Sequence, residues 1–312
     1  MAMVRITIDC YPTTAMKVSA QRKAKNDAYN VDHYEKSIEL VRITISPQCT
    51  LHPIGGAKAM SDTPWYETFF GDDYLRIYSP FLPAERTDKE VDNIISLLQL
   101  PPGSAILDLC CGYGRHAIPL AQHGYEMTGL DLSKKFLQLA QEDAEAKGVK
   151  IRWRCNHMKN IPFEEAFDAV INIFTSFGYL EDEEEDLQVL QQVHKALKPE
   201  GFFLLDTVLQ TRVIRSFAPH SIIHYNDGLI VLEERRIDLP TSRNEVQMTI
   251  LFPDGKRNEY KQSMRIYTLT ELIHMLTAAG LQTQAYYGGL DGSSLTMDSR
   301  RLVIVSQKMA AT

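Results

Sequence analysis

A chain of 312 residues with 44% hydrophobic content has ample material for one large core or two small ones. Its formal charge of -7, from 33 basic and 40 acidic side chains, argues against a nucleic-acid surface as the main partner and turns expectation toward small molecules. No apolar run reaches the roughly 18 residues a membrane helix requires. Cys10, Cys49, Cys110, Cys111 and Cys155 have no paired metal spacing and nothing at the start resembles a signal peptide, so a reduced, cytoplasmic protein without metal is expected.

Residues 1–60 read as a poorly defined N-terminal extension. They carry VRITI twice, at 4–8 and 41–45, each alternating like a strand, with a Lys-rich polar interval between. The main domain is expected over 61–312. It opens with Trp65, Tyr66, Phe69, Phe70, Tyr74 and Tyr78, followed by an amphipathic helix over 87–98 whose Val91, Ile94, Ile95 and Leu98 make one apolar stripe.

The stretch 104–137, SAILDLCCGYGRHAIPLAQHGYEMTGLDLSKKFL, organises the rest. An apolar run at 105–109 reads as a buried parallel strand that breaks at Gly112 and Gly114 into a helix. A second strand over 125–130 ends in Asp131, placed to accept hydrogen bonds from a ribose diol. Gly112, Gly114 and Ala117 fit the dinucleotide fingerprint GxGxxA, with Asp131 roughly 20 residues on, which leaves an NAD enzyme open. Asp108, just before the glycines, points elsewhere: its carboxylate would repel a pyrophosphate and suits a ligand that presents an ammonium group.

ILDLCCGYGRHAIPLA followed by GLDLS resembles the cofactor half of the class I S-adenosylmethionine-dependent methyltransferases. The resemblance implies an α/β, Rossmann-like, seven-stranded sheet with its last strand antiparallel, and S-adenosyl-L-methionine as cofactor. It assigns methionine binding to Asp108, close backbone approach to Gly112 and Gly114, and ribose binding to Asp131 with its neighbour Leu132. Cys110 stands where many members have the first glycine of DxGxGxG. The aromatic segment becomes a candidate lid, with Tyr74 and Tyr78 facing the sulfonium and Arg76 meeting the methionine carboxylate. After a third strand over 151–155, Asn156 or His157 takes the place of the family's adenine-binding acid, and Met158 packs on the ring. Asn172, Phe174, Thr175, Phe177 and Tyr179, at the end of a fourth strand, are candidates for the cofactor and substrate wall.

The acidic run 181–186 starts a helix to about 197, and a fifth strand over 202–205 ends in Asp206. Over 213–266 the pattern turns to antiparallel strands separated by NDG, PTSRN and PDG, an insertion expected to build a substrate cover or a homodimer contact. Thr268 and Glu271 form a capping box for a helix closed by Gly280. Strands over 282–287 and 301–307 are joined by a loop too short for a crossover helix, so the chain ends in a hairpin, the mark that separates the methyltransferase sheet from the dinucleotide one.

The expected reaction is in-line methyl transfer to oxygen or nitrogen of a small molecule. His157, Tyr78, Asp206 and His116 are the candidates for taking a proton. Two other readings remain: a cofactor-binding regulator or scaffold without turnover, and an NAD-dependent oxidoreductase.

Overall fold

The computed structural model describes residues 63–309, so the extension 1–60 and both VRITI segments lie outside the described residues. The aromatic segment forms two short helices, α1 (Trp65–Phe69) and α2 (Asp72–Tyr78), ahead of α3 (Ala84–Leu98). Helix α3 starts three residues earlier than the periodicity suggested, behind Pro83, and stops where Gln99 turns left-handed at φ 49°. Val91, Ile94 and Leu98 are buried, as the apolar stripe requires.

The sheet strands follow: β1 (Ala105–Leu109), β2 (Glu126–Asp131), β3 (Arg152–Cys155), β4 (Phe167–Asn172) and β5 (Leu197–Val208). Helices α4 (Ala117–Gln122), α5 (Lys134–Ala146) and α6 (Glu183–Ala196) connect them, and α7 (Gln210–Arg215) leads out of β5. The chain then forms β6 (His220–His224), β7 (Ile230–Asp238), β8 (Arg243–Leu251) and β9 (Arg257–Arg265), which make a separate four-stranded sheet in sequential order. Residues 218–236 and 246–261 of this segment cluster as a unit apart from the one that carries the larger sheet.

Helix α8 (Leu269–Ala278) follows, with the expected capping box: Thr268 Oγ1 accepts from the Glu271 amide, and the Glu271 carboxylate accepts from the Thr268 amide at 2.7 Å. The chain returns to the first sheet as β10 (Leu281–Tyr287) and β11 (Arg301–Lys308). The seven-stranded order is β10-β11-β5-β4-β1-β2-β3, with β11 antiparallel to both β10 and β5.

Strand alternation sorts the core onto two faces. Leu107, Val170 and Leu205 pack with Val189 and Val193 of α6 and Leu272 and Leu276 of α8. Ile106, Ile171, Leu204 and Val303 pack with Ile94 of α3 and Leu120 of α4. By the same period of two, Asp108 follows Ile106 and Asp206 follows Leu204, so both carboxylates fall on the α3/α4 side at the sheet's carboxyl edge.

Candidate functional site

The loop between β1 and α4 is held by backbone bonds to β2. The amides of Cys110 and Cys111 both donate to the Leu130 carbonyl, at 2.7 and 3.1 Å. Asp131 then grips both sides of the bend: Oδ2 accepts from the Gly112 amide and Oδ1 from the Ser133 amide, each at 2.8 Å. A Cβ on Gly114 would come within 3.1 Å of Ala140 and Trp153, so this glycine lets the loop lie against α5 and β3. Leu132 adds a carbonyl that accepts from the Cys155 thiol at 3.5 Å.

Asp108 is 2% exposed, and its Oδ2 has no hydrogen-bond partner among the described residues. Burial, reinforced by the charge of Asp131, pushes its carboxyl up to about 7, against the pull of Arg115 and the Ala117 amide. An orphaned buried carboxylate oxygen calls for a hydrogen-bond donor, and a cationic donor most of all. Cys110 adopts φ 63°, a left-handed conformation natural to the glycine it replaces, and its thiol lies 3.7 Å from Met158 Sδ. Burial, together with Asp131 and Asp108, raises the Cys110 and Cys111 thiols well above their ordinary range, so neither is poised as a nucleophile.

The aromatic residues of α1 and α2 close up with the loop after β4. Tyr74 lies 4.8 Å from Tyr78, 5.1 Å from Phe70 and 5.8 Å from Phe136, while Tyr179 lies 4.8 Å from Trp65 and stacks on Phe70 at 5.9 Å. Ser133, next to Asp131, donates its hydroxyl to the Phe70 carbonyl at 3.3 Å, tying the segment to the loop after β2. Burial raises the Tyr74 and Tyr179 phenols, so both stay neutral. Arg76, expected at the methionine carboxylate, is exposed on α2.

Beyond β3, the Asn156 amide donates to the Asp131 carbonyl at 3.1 Å, and Asn156 Oδ1 accepts from the His157 amide at 2.9 Å. His157 Nδ1 accepts from the Lys159 amide at 3.1 Å, and Nε2 faces the Tyr66 hydroxyl at 3.4 Å. Burial and the Lys159 charge lower the His157 pKa. A neutral imidazole has one acceptor nitrogen, and the Lys159 amide occupies it, which leaves His157 a poor base in this arrangement.

Four further expected residues are held by neighbouring elements. Asn172, 1% exposed, donates from Nδ2 to the Leu109 carbonyl at 2.9 Å and braces β4 against the glycine loop. Phe174 carries its ring beneath a group of arginines, and its amide donates to Asp206 Oδ2 at 3.0 Å. Asp206 Oδ1 accepts from Arg301 Nε at 2.7 Å, so both of its oxygens are engaged. His116 is buried with Nε2 3.0 Å from Glu90, which ties it to α3. Sequence reasoning passed over Arg86, Glu90, Arg115 and Arg301. A signal was available for Arg301, which opens the last strand of a hairpin whose direction the loop length had already fixed.

The fold and the site define a class: an α/β cofactor-binding sheet with an antiparallel seventh strand, an acid before a glycine bend and a second acid one strand over. The family profile described as "Methyltransferase domain" matches residues 106–201. YqeM of Bacillus subtilis (strain 168), named as a methyltransferase, is 25% identical over 212 residues, covering 67% of this chain and 86% of its own. The glycine/sarcosine N-methyltransferase of Halorhodospira halochloris is 28% identical over 151 residues, covering 46% of this chain and 55% of its own. The solved structure of the CcbJ methyltransferase from Streptomyces caelestis shares the fold, with a TM-score of 0.68 at 21% identity, over 78% of this chain and 99% of that one. The chain carries a methyltransferase domain and is an S-adenosylmethionine-dependent methyltransferase with the class I fold. Its cofactor is S-adenosyl-L-methionine, and the dinucleotide reading is set aside, because that fold has no place for β11. Among the described residues no helix is long and apolar enough to cross a membrane.

Proposed function

We propose that this enzyme methylates an oxygen or nitrogen atom of a small molecule, with Asp108 facing the cofactor's ammonium group and Asp131 accepting from its ribose hydroxyls. The observation that carries this reading is the buried Asp108 Oδ2 without a partner, one strand from an acid that already organises the glycine bend. The bound cofactor supplies a methyl group activated on sulfonium.

The protein's task is then alignment and exclusion of water, which can supply roughly 7 to 11 kcal/mol of the barrier. Gly112 and Gly114 let the ligand approach the backbone. Asn156 and Met158 border the adenine, and the Tyr74, Tyr78 and Tyr179 cluster walls the reacting carbon with aromatic faces that suit a sulfonium. In-line transfer would form the new carbon–oxygen or carbon–nitrogen bond as the carbon–sulfur bond breaks, and a hydroxyl or protonated amine acceptor would give up a proton. With Asp206 bound to Arg301 and His157 Nδ1 bound to the Lys159 amide, we assign no general base, and the proton passes to bulk solvent as the product leaves. A small acceptor agrees with the relative named for glycine and sarcosine.

Calorimetry with S-adenosylhomocysteine and with NADH tests the cofactor, and binding is expected for the former alone. Turnover of labelled methyl donor against a panel of amines and hydroxyl compounds tests the acceptor. Cofactor binding with no transfer to any small molecule, and transfer to a protein instead, would overturn the reading.

A further inference from the structure

A cavity of about 570 Å³ opens beside Phe174, bounded by Arg86 and Glu90 of α3, by Asp206, and by the loop from Gly288 to Arg301 between β10 and β11. Three guanidinium groups converge on the Phe174 ring: Arg115 at 5.2 Å from its centroid, Arg86 at 5.5 Å and Arg301 at 6.0 Å. Two carboxylates face them, and both are already engaged. Glu90 Oε1 accepts from Arg86 at 2.9 Å, and its Oε2 meets Arg115 at 2.5 Å and His116 at 3.0 Å. Asp206 accepts from Arg301 Nε at 2.7 Å and from the Phe174 amide at 3.0 Å.

Donors outnumber acceptors here. Among the described residues, Nη2 of Arg301, which lines the cavity, and Nη2 of Arg115, which packs on the same ring, are buried without a partner. Burial lowers the His116 pKa, so this neighbour adds no charge, and around the Phe174 ring three guanidiniums meet two carboxylates, with Asp108 also in the field of Arg115. At the rim, Asp298 pairs with Arg215 at 2.8 Å, and Asp291 and Arg300 carry opposite signs, so these groups add no net charge.

The backbone carries a second, independent mark. Phe174 and Thr175 are consecutive non-glycine residues at φ 66° and 65°, a strained pair. The strain is held by the Phe174 amide on Asp206, the Thr175 amide on the Asp206 carbonyl at 3.0 Å, and Arg301 Nη1 on Thr175 Oγ1 at 2.8 Å. Strain over-determined in this way holds a ring and a guanidinium fork in fixed relation, and such pairs cluster at ligand sites. A ligand that completes this arrangement brings oxygen acceptors and negative charge, and a planar two-oxygen group matches the fork of a guanidinium.

We propose that this cavity is a carboxylate-binding subsite, serving the acid group of the methyl acceptor or the amino-acid end of the cofactor. The choice between those two sources rests on the methyltransferase reading; the anion site itself does not. Asp206 and Asp131 stand at the ends of strands three spacings apart, about 14 Å, so the subsite lies well away from the ribose position.

The test is calorimetry on the full chain in two arms. In the first, S-adenosylhomocysteine is titrated into the wild type, Arg301→Gln and Arg86→Gln. In the second, acetate, benzoate and succinate are titrated against acetamide, benzamide and succinamide, with the same three proteins free and saturated with S-adenosylhomocysteine. A loss of about tenfold or more in Arg301→Gln is expected, either in S-adenosylhomocysteine affinity or in preference for acid over amide. Loss in the first arm assigns the site to the cofactor's carboxylate, and loss in the second to the acceptor's. Because Arg301 also braces Asp206, thermal melting accompanies each variant, and Arg86→Gln, at the exposed end of the group, decides the matter if Arg301→Gln unfolds. Unchanged S-adenosylhomocysteine affinity with no preference of any acid over its amide overturns the proposal. Failure of the wild type to bind S-adenosylhomocysteine would remove the cofactor reading instead, and the acid and amide arm on the free protein would still decide the anion site.

Discussion

Asp131 Oδ2 accepts a hydrogen bond from the Gly112 amide at 2.8 Å, so the acid that ends β2 holds the glycine bend after β1 in place before any ligand arrives. A carboxylate has room for about four hydrogen bonds, and this one receives amides from Gly112 and Ser133 while remaining able to accept from a diol.

Asp131→Ala is therefore expected to act twice, by releasing the bend and by removing the ribose acceptor. Each charge-assisted bond contributes about 1.5 to 3 kcal/mol, so S-adenosylhomocysteine affinity should fall by a factor of about ten to a hundred or more in calorimetry. Asp131→Asn keeps one acceptor oxygen and should fall between. Affinity equal to wild type in the alanine variant would remove Asp131 from the site.

Asp108 gives a pH signature. Its carboxyl is raised to about 7 in the folded chain from an ordinary value of 3.8, so the native state holds a proton that the unfolded state releases between those values. Stability contributed by this group is thus full at low pH and is lost as pH climbs from about 4 to about 7, by at most on the order of 4 kcal/mol. Asp108→Asn should flatten that decline in melting temperature and leave the free protein more stable near pH 8. The ammonium of S-adenosylhomocysteine needs the ionised form, so wild-type affinity should rise with pH through about 7 and the asparagine variant should lose this dependence. A wild-type affinity independent of pH in that window would contradict the pairing.

Cys110 at φ 63° occupies a conformation that costs a side chain roughly 1 to 2 kcal/mol. Cys110→Gly relieves this strain and gives up the Met158 contact, so its unfolding midpoint in urea should stay near wild type and its turnover should persist. Cys110→Val should destabilise by more than about 1 kcal/mol, because a β-branched residue tolerates positive φ worst. Loss of methyl transfer in a folded glycine variant would point instead to a chemical role for the thiol.

Thr268→Ala removes the hydroxyl half of the α8 capping box and should cost about 1 kcal/mol in chemical denaturation. S-adenosylhomocysteine binding should be untouched, which makes this variant the stability control for the others.

The sequence made plain what depends on short-range pattern. An apolar run placed β1 and the glycines after it placed the bend, a loop too short for a crossover helix made β11 the second strand of a hairpin, and the spacing of Thr268 and Glu271 placed the start of α8. The helical form of α1 and α2 was hidden because six aromatics in fourteen residues obscure the helical period. The arginine group was hidden for another reason: Arg86, Arg115 and Arg301 come from a helix, a loop and the last strand, and only the tertiary fold brings them to one ring. Asn172 stands at a strand end, where the sequence marked it as a candidate contact, but nothing in the sequence showed that its Nδ2 braces the Leu109 carbonyl while its Oδ1 is left without a partner among the described residues.

The reversed direction of β11 decides which end of that strand meets the chemistry. A parallel strand in its place would bring Lys308 to the functional rim; running the other way, it brings Arg301, paired in register with Val208 just past Asp206. The residues between Gly288 and Arg301 thus hang from the sheet's fixed frame as an exchangeable tongue. If the proposed subsite serves the acceptor, changes there would retune its selectivity while every hydrogen bond between the seven strands stays as it is.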